Sequence, residues 1–168
     1  MRWLGRLRRF LFGDDRFDRL VIYAYKRFDR AVIVDDAYLA ATAAAHAGKT
    51  NLKAALGGCP VASGEAIVLS SLLAGEERIY VLLHELGHAM DFEDQARVIL
   101  WNYIWREKEL TTEARDFILE VEERAYELGK VVAKEAAIEV DDDAWMTYVG
   151  RKLHDNIQVY STPPNVLV

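Results

Sequence analysis

Residues 78–91 read Arg-Ile-Tyr-Val-Leu-Leu-His-Glu-Leu-Gly-His-Ala-Met-Asp, and this stretch decides how the rest of the chain is interpreted. His84 and His88 are four residues apart, so on an α-helix their imidazoles share one face and can bind a single metal ion. Glu85 projects about 100° away from His84, where its carboxylate can reach a water without binding the metal. The motif His-Glu-x-x-His therefore predicts a zinc site with Glu85 as the general base and a zinc-bound water as the nucleophile.

The residues around this motif are mostly apolar, which predicts a buried helix. They are Tyr80, Val81, Leu82, Leu83, Leu86 and Met90. Gly87 has no side chain, so we expect a substrate backbone to approach the metal beside it. A buried helix whose histidines only cap carbonyl groups is the alternative, but two histidines and a glutamate are costly to bury without partners.

Length and composition predict a single folded domain, residues 1–168, with a hydrophobic share of 52% and a charged share of 29%. No apolar run approaches the ~18 residues that a membrane-spanning helix needs. The single cysteine, Cys59, excludes an internal disulfide and favours a reducing, cytoplasmic location. A net charge of −6 argues against a general nucleic-acid binder. We interpret Cys59 as a buried or loop thiol.

The N-terminal segment, residues 1–13, differs from the rest of the chain in being strongly basic. Apolar side chains recur at helical spacing between arginines, and they are Trp3, Leu4, Leu7, Phe10 and Leu11. This pattern predicts a basic amphipathic helix, which can dock on its own domain or contact an anionic membrane or an acidic partner. We favour docking on the domain.

Hydrophobic periodicity predicts an α+β fold, mostly helical, with a small β-sheet packed beside the motif helix. The predicted strands are 31–34 and 64–70, and the second of these is expected to be the edge along which an extended peptide pairs. Predicted helices cover 14–30, 37–47 with Asp36 as the cap, a stretch after Asp91, 111–138, and 141–153. An irregular tail is expected over 161–168, because Pro163 and Pro164 end regular structure.

A catalytic zinc needs a third protein ligand, and Glu122 is the best candidate. The extension that would supply a third histidine is absent, because position 94 is an aspartate. On the 111–138 helix Glu122 is the lone acid in a stripe of small and apolar residues, and these are Ile118, Ala125, Gly129, Ala133 and Ala136. Ala125 and Gly129 would let the two helices approach closely. Glu123 is the reserve candidate.

Other polar residues receive supporting roles in this prediction. Asp91 lies one turn after His88 and is expected to orient an imidazole rather than to bind the metal. Tyr126 is the first candidate for a donor to the developing oxyanion, and Arg115 and His154 compete with it. His46 is interpreted as a surface residue.

Four segments together resemble the core of ImmA/IrrE-type metallopeptidases. They are Ala66-Ile-Val-Leu-Ser70, Arg78-Ile-Tyr80, His84-Glu-Leu-Gly-His88 and Glu122-x-x-Ala125, within residues 64–130. The resemblance implies a zincin-like domain with Glu122 as the third zinc ligand and a repressor or other regulatory protein as the substrate. Two positions depart from the family pattern. Tyr126 replaces an asparagine or aspartate, and an aspartate placed after the second histidine, as Asp91 is, resembles the pattern of compact lethal-factor-like zincins. No helix-turn-helix signature accompanies them.

The sequence thus predicts a zinc-dependent endopeptidase acting on a protein or peptide substrate. A catalytically weak or inactive zincin that serves as a protein-binding module is one alternative. A small interaction protein whose functional element is the basic segment 1–13 is another. A peptide deformylase is excluded, because Cys59 lies in Gly-Gly-Cys-Pro rather than in the Glu-Gly-Cys-Leu-Ser of those enzymes.

Overall fold

Six helices and a three-stranded sheet form the part of the chain that the computed structural model describes, residues 15–46, 58–60, 65–107 and 109–161. In chain order the elements are α1 (Asp15–Phe28), β1 (Ala31–Val34), α2 (Asp36–His46), β2 (Gly58–Pro60), β3 (Ala66–Leu69), α3 (Gly75–Asp91), α4 (Gln95–Arg106), α5 (Thr112–Glu135) and α6 (Asp142–Ser161). The predicted α+β class, mostly helical with a small sheet, is confirmed. The basic segment 1–13 and the tail beyond Ser161 lie outside the described residues.

The sheet has the strand order β1-β3-β2. β3 pairs in parallel with β1, with Ala31 opposite Ala66, and antiparallel with β2, where Cys59 lies opposite Val68. A strand paired on both sides and buried on its faces needs a continuous apolar run, which β3 has at Ile67, Val68 and Leu69. The prediction that this strand is a free edge for a substrate peptide is therefore wrong. Within the described residues the outer sides of β1 and β2 form the two edges.

The sequence predicted β1 and β3 but not β2. The four residues of β1 are three β-branched side chains after an alanine, which favours a strand. β2 is Gly-Cys-Pro, and glycine and proline are depleted in strands because they weaken or interrupt the hydrogen-bond ladder. β2 is a strand because it pairs with β3, and the three residues of β2 do not by themselves indicate that pairing.

The start of α2 corrects a predicted cap. The carboxylate of Asp35, rather than that of Asp36, accepts the hydrogen bond from the backbone N–H of Tyr38, at 2.9 Å. The carboxylate of Asp36 instead accepts from the Ser70 hydroxyl at 2.8 Å and from the Ser71 backbone N–H at 3.0 Å. Asp36 thereby ties α2 to the turn that leads from β3 into α3.

The motif helix α3 lies in the core and packs against α5 at very short range. A Cβ atom added at Gly87 would lie 1.9 Å from the carbonyl oxygen of Ala125, and one added at Gly129 would lie 3.0 Å from that of Leu83. The predicted close approach at Ala125 and Gly129 is confirmed. The expectation that Gly87 leaves room for a substrate is wrong, because α5 fills that side.

Of the helices after α3, α5 begins where the sequence predicts and ends three residues earlier, whereas α6 is longer than predicted. The Thr111 hydroxyl accepts from the Ala114 backbone N–H at 3.2 Å, which fixes the start of α5. α6 continues past Leu153 to Ser161. Among the helices described, none combines the length and the apolar character needed to cross a bilayer.

Gly87→Ala is expected to lower the free energy of unfolding by about 2–3 kcal/mol, because the new methyl group overlaps a helix backbone that cannot move aside. Gly150→Ala on α6 is the matched control, since a Cβ atom there meets nothing within 4 Å. That change should raise stability by up to about 1 kcal/mol through helix propensity. Urea denaturation of both variants measures the difference, and similar effects of the two substitutions would contradict the close approach.

Candidate metal centre

Three side chains from α3 and α5 converge on one point. The Nε2 atoms of His84 and His88 lie 3.1 Å apart. Glu122 places Oε2 at 3.3 Å from Nε2 of His84 and Oε1 at 3.6 Å from Nε2 of His88. Among the described residues these three form the group of donors near enough to one another to hold a metal ion. The exposed Glu123, the reserve candidate, does not belong to it.

Two of the separations between donor atoms are close to those of a tetrahedral site. Ligands at the usual zinc distances of roughly 2.0–2.1 Å stand about 3.4 Å from each other when the geometry is tetrahedral. The 3.1 Å between the two Nε2 atoms and the 3.3 Å from Nε2 of His84 to Oε2 of Glu122 are close to that value. The 3.6 Å distance to Nε2 of His88 is measured from the other carboxylate oxygen, Oε1. Two imidazole nitrogens and one carboxylate oxygen are also a donor set that suits zinc and its transition-metal neighbours rather than calcium or magnesium. The residues therefore fit a metal of this class.

Burial and mutual charge set the protonation of the three side chains. Burial lowers the pKa of His84, and the neighbouring His88 lowers it further. Burial also lowers the pKa of His88, but the Glu122 carboxylate outweighs it and raises that pKa above its ordinary value. For Glu122 the two imidazoles outweigh burial, so its pKa lies well below the usual range. Glu122 is thus an anion, as a metal ligand must be.

Glu85 lies beside the three donors but outside the metal-binding group. Its side chain is 4% exposed, and its Oε2 atom has no hydrogen-bond partner among the described residues. Burial raises the pKa of Glu85 to about 7. A buried carboxylate with an unpaired oxygen is costly. Its position is the one that the motif predicts for a general base, and a pKa near neutrality suits proton transfer in both directions.

Asn156 on α6 contacts the site and was not predicted from the sequence. Its side-chain amide donates a hydrogen bond to Oε2 of Glu122 at 3.1 Å. An asparagine inside a helix carries no pattern that marks it as part of a metal site. Its relation to Glu122 depends on how α6 packs against α5, which only the folded chain reveals.

Asp91 has a different role from the one predicted. Its carboxylate is fully buried and accepts from Nε of Arg97 at 2.8 Å and from Nε of Arg124 at 2.5 Å. The Nδ1 atoms of both histidines lack partners among the described residues, so Asp91 does not orient an imidazole. Asp91 instead joins the end of α3 to α4 and α5, and Arg97 extends the network to Glu120 at 2.9 Å.

Tyr126 lies at the site, as expected from the sequence. Its ring stacks on the imidazole of His84 with centroids 4.0 Å apart and an interplanar angle of 28°. Behind it an aromatic cluster includes Trp145 and Tyr148, at 6.3 and 6.2 Å between centroids. Burial and the Glu122 carboxylate raise the pKa of Tyr126, so its hydroxyl keeps its proton. Whether this hydroxyl serves an oxyanion stays a prediction.

The competing donors occupy other positions. Arg115 donates from Nη1 to the backbone carbonyl of Tyr160 at 2.5 Å, so its guanidinium holds the end of α6. His154 is exposed on the same helix. His46 ends α2 and Cys59 is the middle residue of β2, but their side chains lie outside the described part of the structure.

A pocket of about 560 Å³ lies between the N-terminal parts of α3 and α6. None of the three metal donors lines it, and its relation to the site is through Tyr148, which packs against Tyr126. Tyr80, one turn before His84, and Tyr148 contribute to its walls. Glu77, Asp143 and Arg151 supply charged groups at its lining. The volume is large enough to receive a substrate side chain.

Comparison with known proteins gives no match: no protein-family model, no curated protein and no solved structure matches this chain significantly. The resemblance of residues 64–130 to ImmA/IrrE-type metallopeptidases therefore stays a prediction carried by its motif residues. The geometry of His84, His88 and Glu122 stands independently of that resemblance.

Glu122→Gln is expected to weaken zinc binding by more than the roughly 10–100-fold that loss of a supporting group costs, because an amide is a poor zinc ligand. Glu123→Gln, the adjacent and exposed control, should leave the affinity unchanged. Competition titration with a chromophoric chelator measures both constants. Equal affinities in the two variants would remove Glu122 from the ligand set.

Asp91→Asn is expected to lower the free energy of unfolding by roughly 2–3 kcal/mol, because Arg97 and Arg124 lose the charge that they share. The loss should be the same with zinc and with chelator, since the carboxylate acts on helix packing. Thermal and urea unfolding in both conditions provide the measurement. A loss confined to the zinc-loaded protein would return Asp91 to a role at the metal.

Proposed function

We propose that this protein is a zinc-dependent endopeptidase that hydrolyses a peptide bond in a protein substrate. The observation that carries the proposal is the buried carboxylate of Glu85, whose Oε2 atom has no hydrogen-bond partner among the described residues, beside a group of three metal donors. Structural zinc sites take four protein ligands, whereas catalytic sites take three and leave one position open. A purely structural site also has no use for an adjacent base. Three donors with a second carboxylate beside them are what a hydrolytic site requires.

Zinc held by His84, His88 and Glu122 would supply a Lewis acid that polarises a substrate carbonyl and makes water acidic enough to react near neutral pH. The charges of these three side chains suit a cation. Glu122 contributes one negative charge, and burial lowers the pKa of His84, which favours the neutral imidazole that a metal would need.

Glu85 acts as the general base and then as the general acid. Its carboxylate accepts a proton from the attacking water and later delivers that proton to the nitrogen of the leaving amine. Its pKa of about 7 places both protonation states within reach at neutral pH. Burial also keeps bulk water from competing for the carboxylate.

Tyr126 is proposed to donate a hydrogen bond to the oxyanion that develops on the substrate carbonyl. Its hydroxyl stays protonated, which a donor requires. The ring also holds the imidazole of His84 flat against it, at 4.0 Å between centroids. Tyr126 would therefore serve the site in two ways, and the second does not depend on the first.

The substrate is proposed to bind as an extended chain along the outer edge of β2. β3 is paired on both sides, and β2 is the edge strand that packs against α3. Backbone groups of Gly58 and Cys59 can form the ladder, whereas Pro60 has no N–H to donate. A side chain next to the scissile bond would enter the cavity walled by Tyr80 and Tyr148. The resemblance adds a repressor or other regulatory protein as the substrate class.

The runner-up is a catalytically weak or inactive zincin that binds a protein partner. It shares the metal group and differs only in the use of Glu85. The interaction-protein alternative rests on residues 1–13, outside the described residues, as does a membrane contact through that segment. A cytoplasmic location and the absence of a nucleic-acid partner stay predictions from Cys59 and from the net charge of −6.

Glu85→Gln should keep about one zinc per chain while lowering peptide cleavage by roughly 10²–10⁴-fold, because only the proton carrier is lost. Glu127→Gln on the exposed side of α5 is the control and should retain full activity. A fluorogenic peptide library with zinc and with chelator provides the assay. Zinc binding without any cleavage by the unaltered protein would favour the binding module, and loss of zinc from Glu85→Gln would show that the assigned role is wrong.

A further inference from the structure

The candidate metal centre receives a contact from a third helix. His84 and His88 belong to α3 and Glu122 to α5, but the amide of Asn156 on α6 donates to Oε2 of Glu122 at 3.1 Å. The same oxygen lies 3.3 Å from Nε2 of His84, while Oε1 faces His88. The hydrogen bond therefore reaches the ligand oxygen itself.

This contact can fix the orientation of the Glu122 carboxylate. The terminal torsion of a glutamate is broad and roughly twofold, so packing of the stem alone leaves the two oxygens free to rotate. One hydrogen bond from a fixed donor selects a single orientation of the carboxylate plane. That orientation decides whether Oε1 and Oε2 face the two imidazoles at 3.6 and 3.3 Å.

The donor is itself held in place by a separate anchor. Arg115 on α5 donates from Nη1 to the backbone carbonyl of Tyr160, one turn after Asn156. The ring of Tyr160 is buried with Ile118 in an apolar cluster that also includes Ile104 and Leu110. The last turns of α6 are thus fixed to α5 by a polar and an apolar contact.

Other polar side chains on α6 make no hydrogen bond to the three metal donors among the described contacts. Lys152 lies one turn before Asn156 on the same face, but its Nζ atom stands 5.7 Å from the centroid of Tyr148 and has no hydrogen bond to the three donors among the described contacts. Asp155 and Gln158 are exposed. Within the described part of α6, Asn156 makes the direct polar contact to the metal-binding group.

We propose that Asn156 is a positioning residue that couples the docking of α6 to metal affinity through the carboxylate of Glu122. The centre is then a three-helix site, in which α3 and α5 supply the ligands and α6 orients one of them. The inference rests on metal binding by the three donors and not on peptide hydrolysis.

The first test replaces the amide by an apolar group of similar volume. Asn156→Leu should lower zinc affinity roughly 10–100-fold, the range typical of groups that orient a ligand. Gln158→Leu, an exposed amide on the same helix, should leave it unchanged. Chelator competition gives the affinities, and thermal unfolding with zinc and with chelator gives the metal-dependent rise in melting temperature, which should shrink only for Asn156→Leu. Should Asn156→Leu fail to fold, Asn156→Ala provides the same measurement.

The second test asks whether the anchor acts through Asn156. Arg115→Met should weaken zinc binding in the otherwise unaltered chain, and should add little in the Asn156→Leu background. A double-mutant cycle measures this non-additivity. Fully additive losses would overturn the proposed coupling.

The outcomes separate this inference from the proposed function. An affinity of Asn156→Leu within about twofold of the unaltered protein would overturn the inference alone. So would equal losses of melting temperature in zinc and in chelator with unchanged affinity, because they assign Asn156 to packing. Failure of the unaltered protein to bind zinc would remove the metal centre and with it both proposals. Zinc binding without peptide cleavage would leave the positioning role of Asn156 intact.

Discussion

The backbone contact between α3 and α5 at Gly87 is the constraint on which the candidate centre depends. A Cβ atom there would lie 1.9 Å from the carbonyl oxygen of Ala125, so only glycine permits the helices to come this close. His88 directly follows Gly87, and Glu122 lies one turn before Ala125 and Tyr126. The short helix separation is therefore what brings an imidazole pair on one helix within 3.3 and 3.6 Å of a carboxylate on the other.

Charge in this core is arranged in two separate groups. Glu122 faces two imidazoles, and its pKa stays well below the usual range in spite of burial. Asp91, fully buried at the end of α3, is neutralised by Arg97 and Arg124. The ion pairs of Asp91 with Arg97 and Arg124 join α3 to α4 and α5. The two imidazoles and Glu122 form the separate group that could bind a cation. Glu85 belongs to neither group, since it is buried and its Oε2 atom has no hydrogen-bond partner among the described residues.

The parts of the site that sequence could predict are those that depend on helical periodicity. The spacing of His84 and His88 places them on one face, and the isolation of Glu122 in an apolar stripe separates it from Glu123. The contacts that were missed or wrongly assigned join different helices and strands. Asn156 reaches Glu122 only through the packing of α6, and Asp91 turns to two arginines that spacing along α3 cannot reveal. The sequence also predicts β3 as an edge strand, because its partner β2 consists of glycine, cysteine and proline and shows no strand pattern.

We infer that the folded chain holds its three donors, two imidazoles and one carboxylate, around a single metal ion. X-ray absorption at the zinc K-edge of the zinc-loaded, gel-filtered protein tests it most directly. The expected spectrum is that of about four nitrogen and oxygen neighbours at roughly 2.0–2.1 Å, with the outer-ring scattering of two imidazoles. Zinc lost on gel filtration, or an octahedral oxygen shell without imidazole scattering, would contradict the assignment of His84, His88 and Glu122 as its ligands.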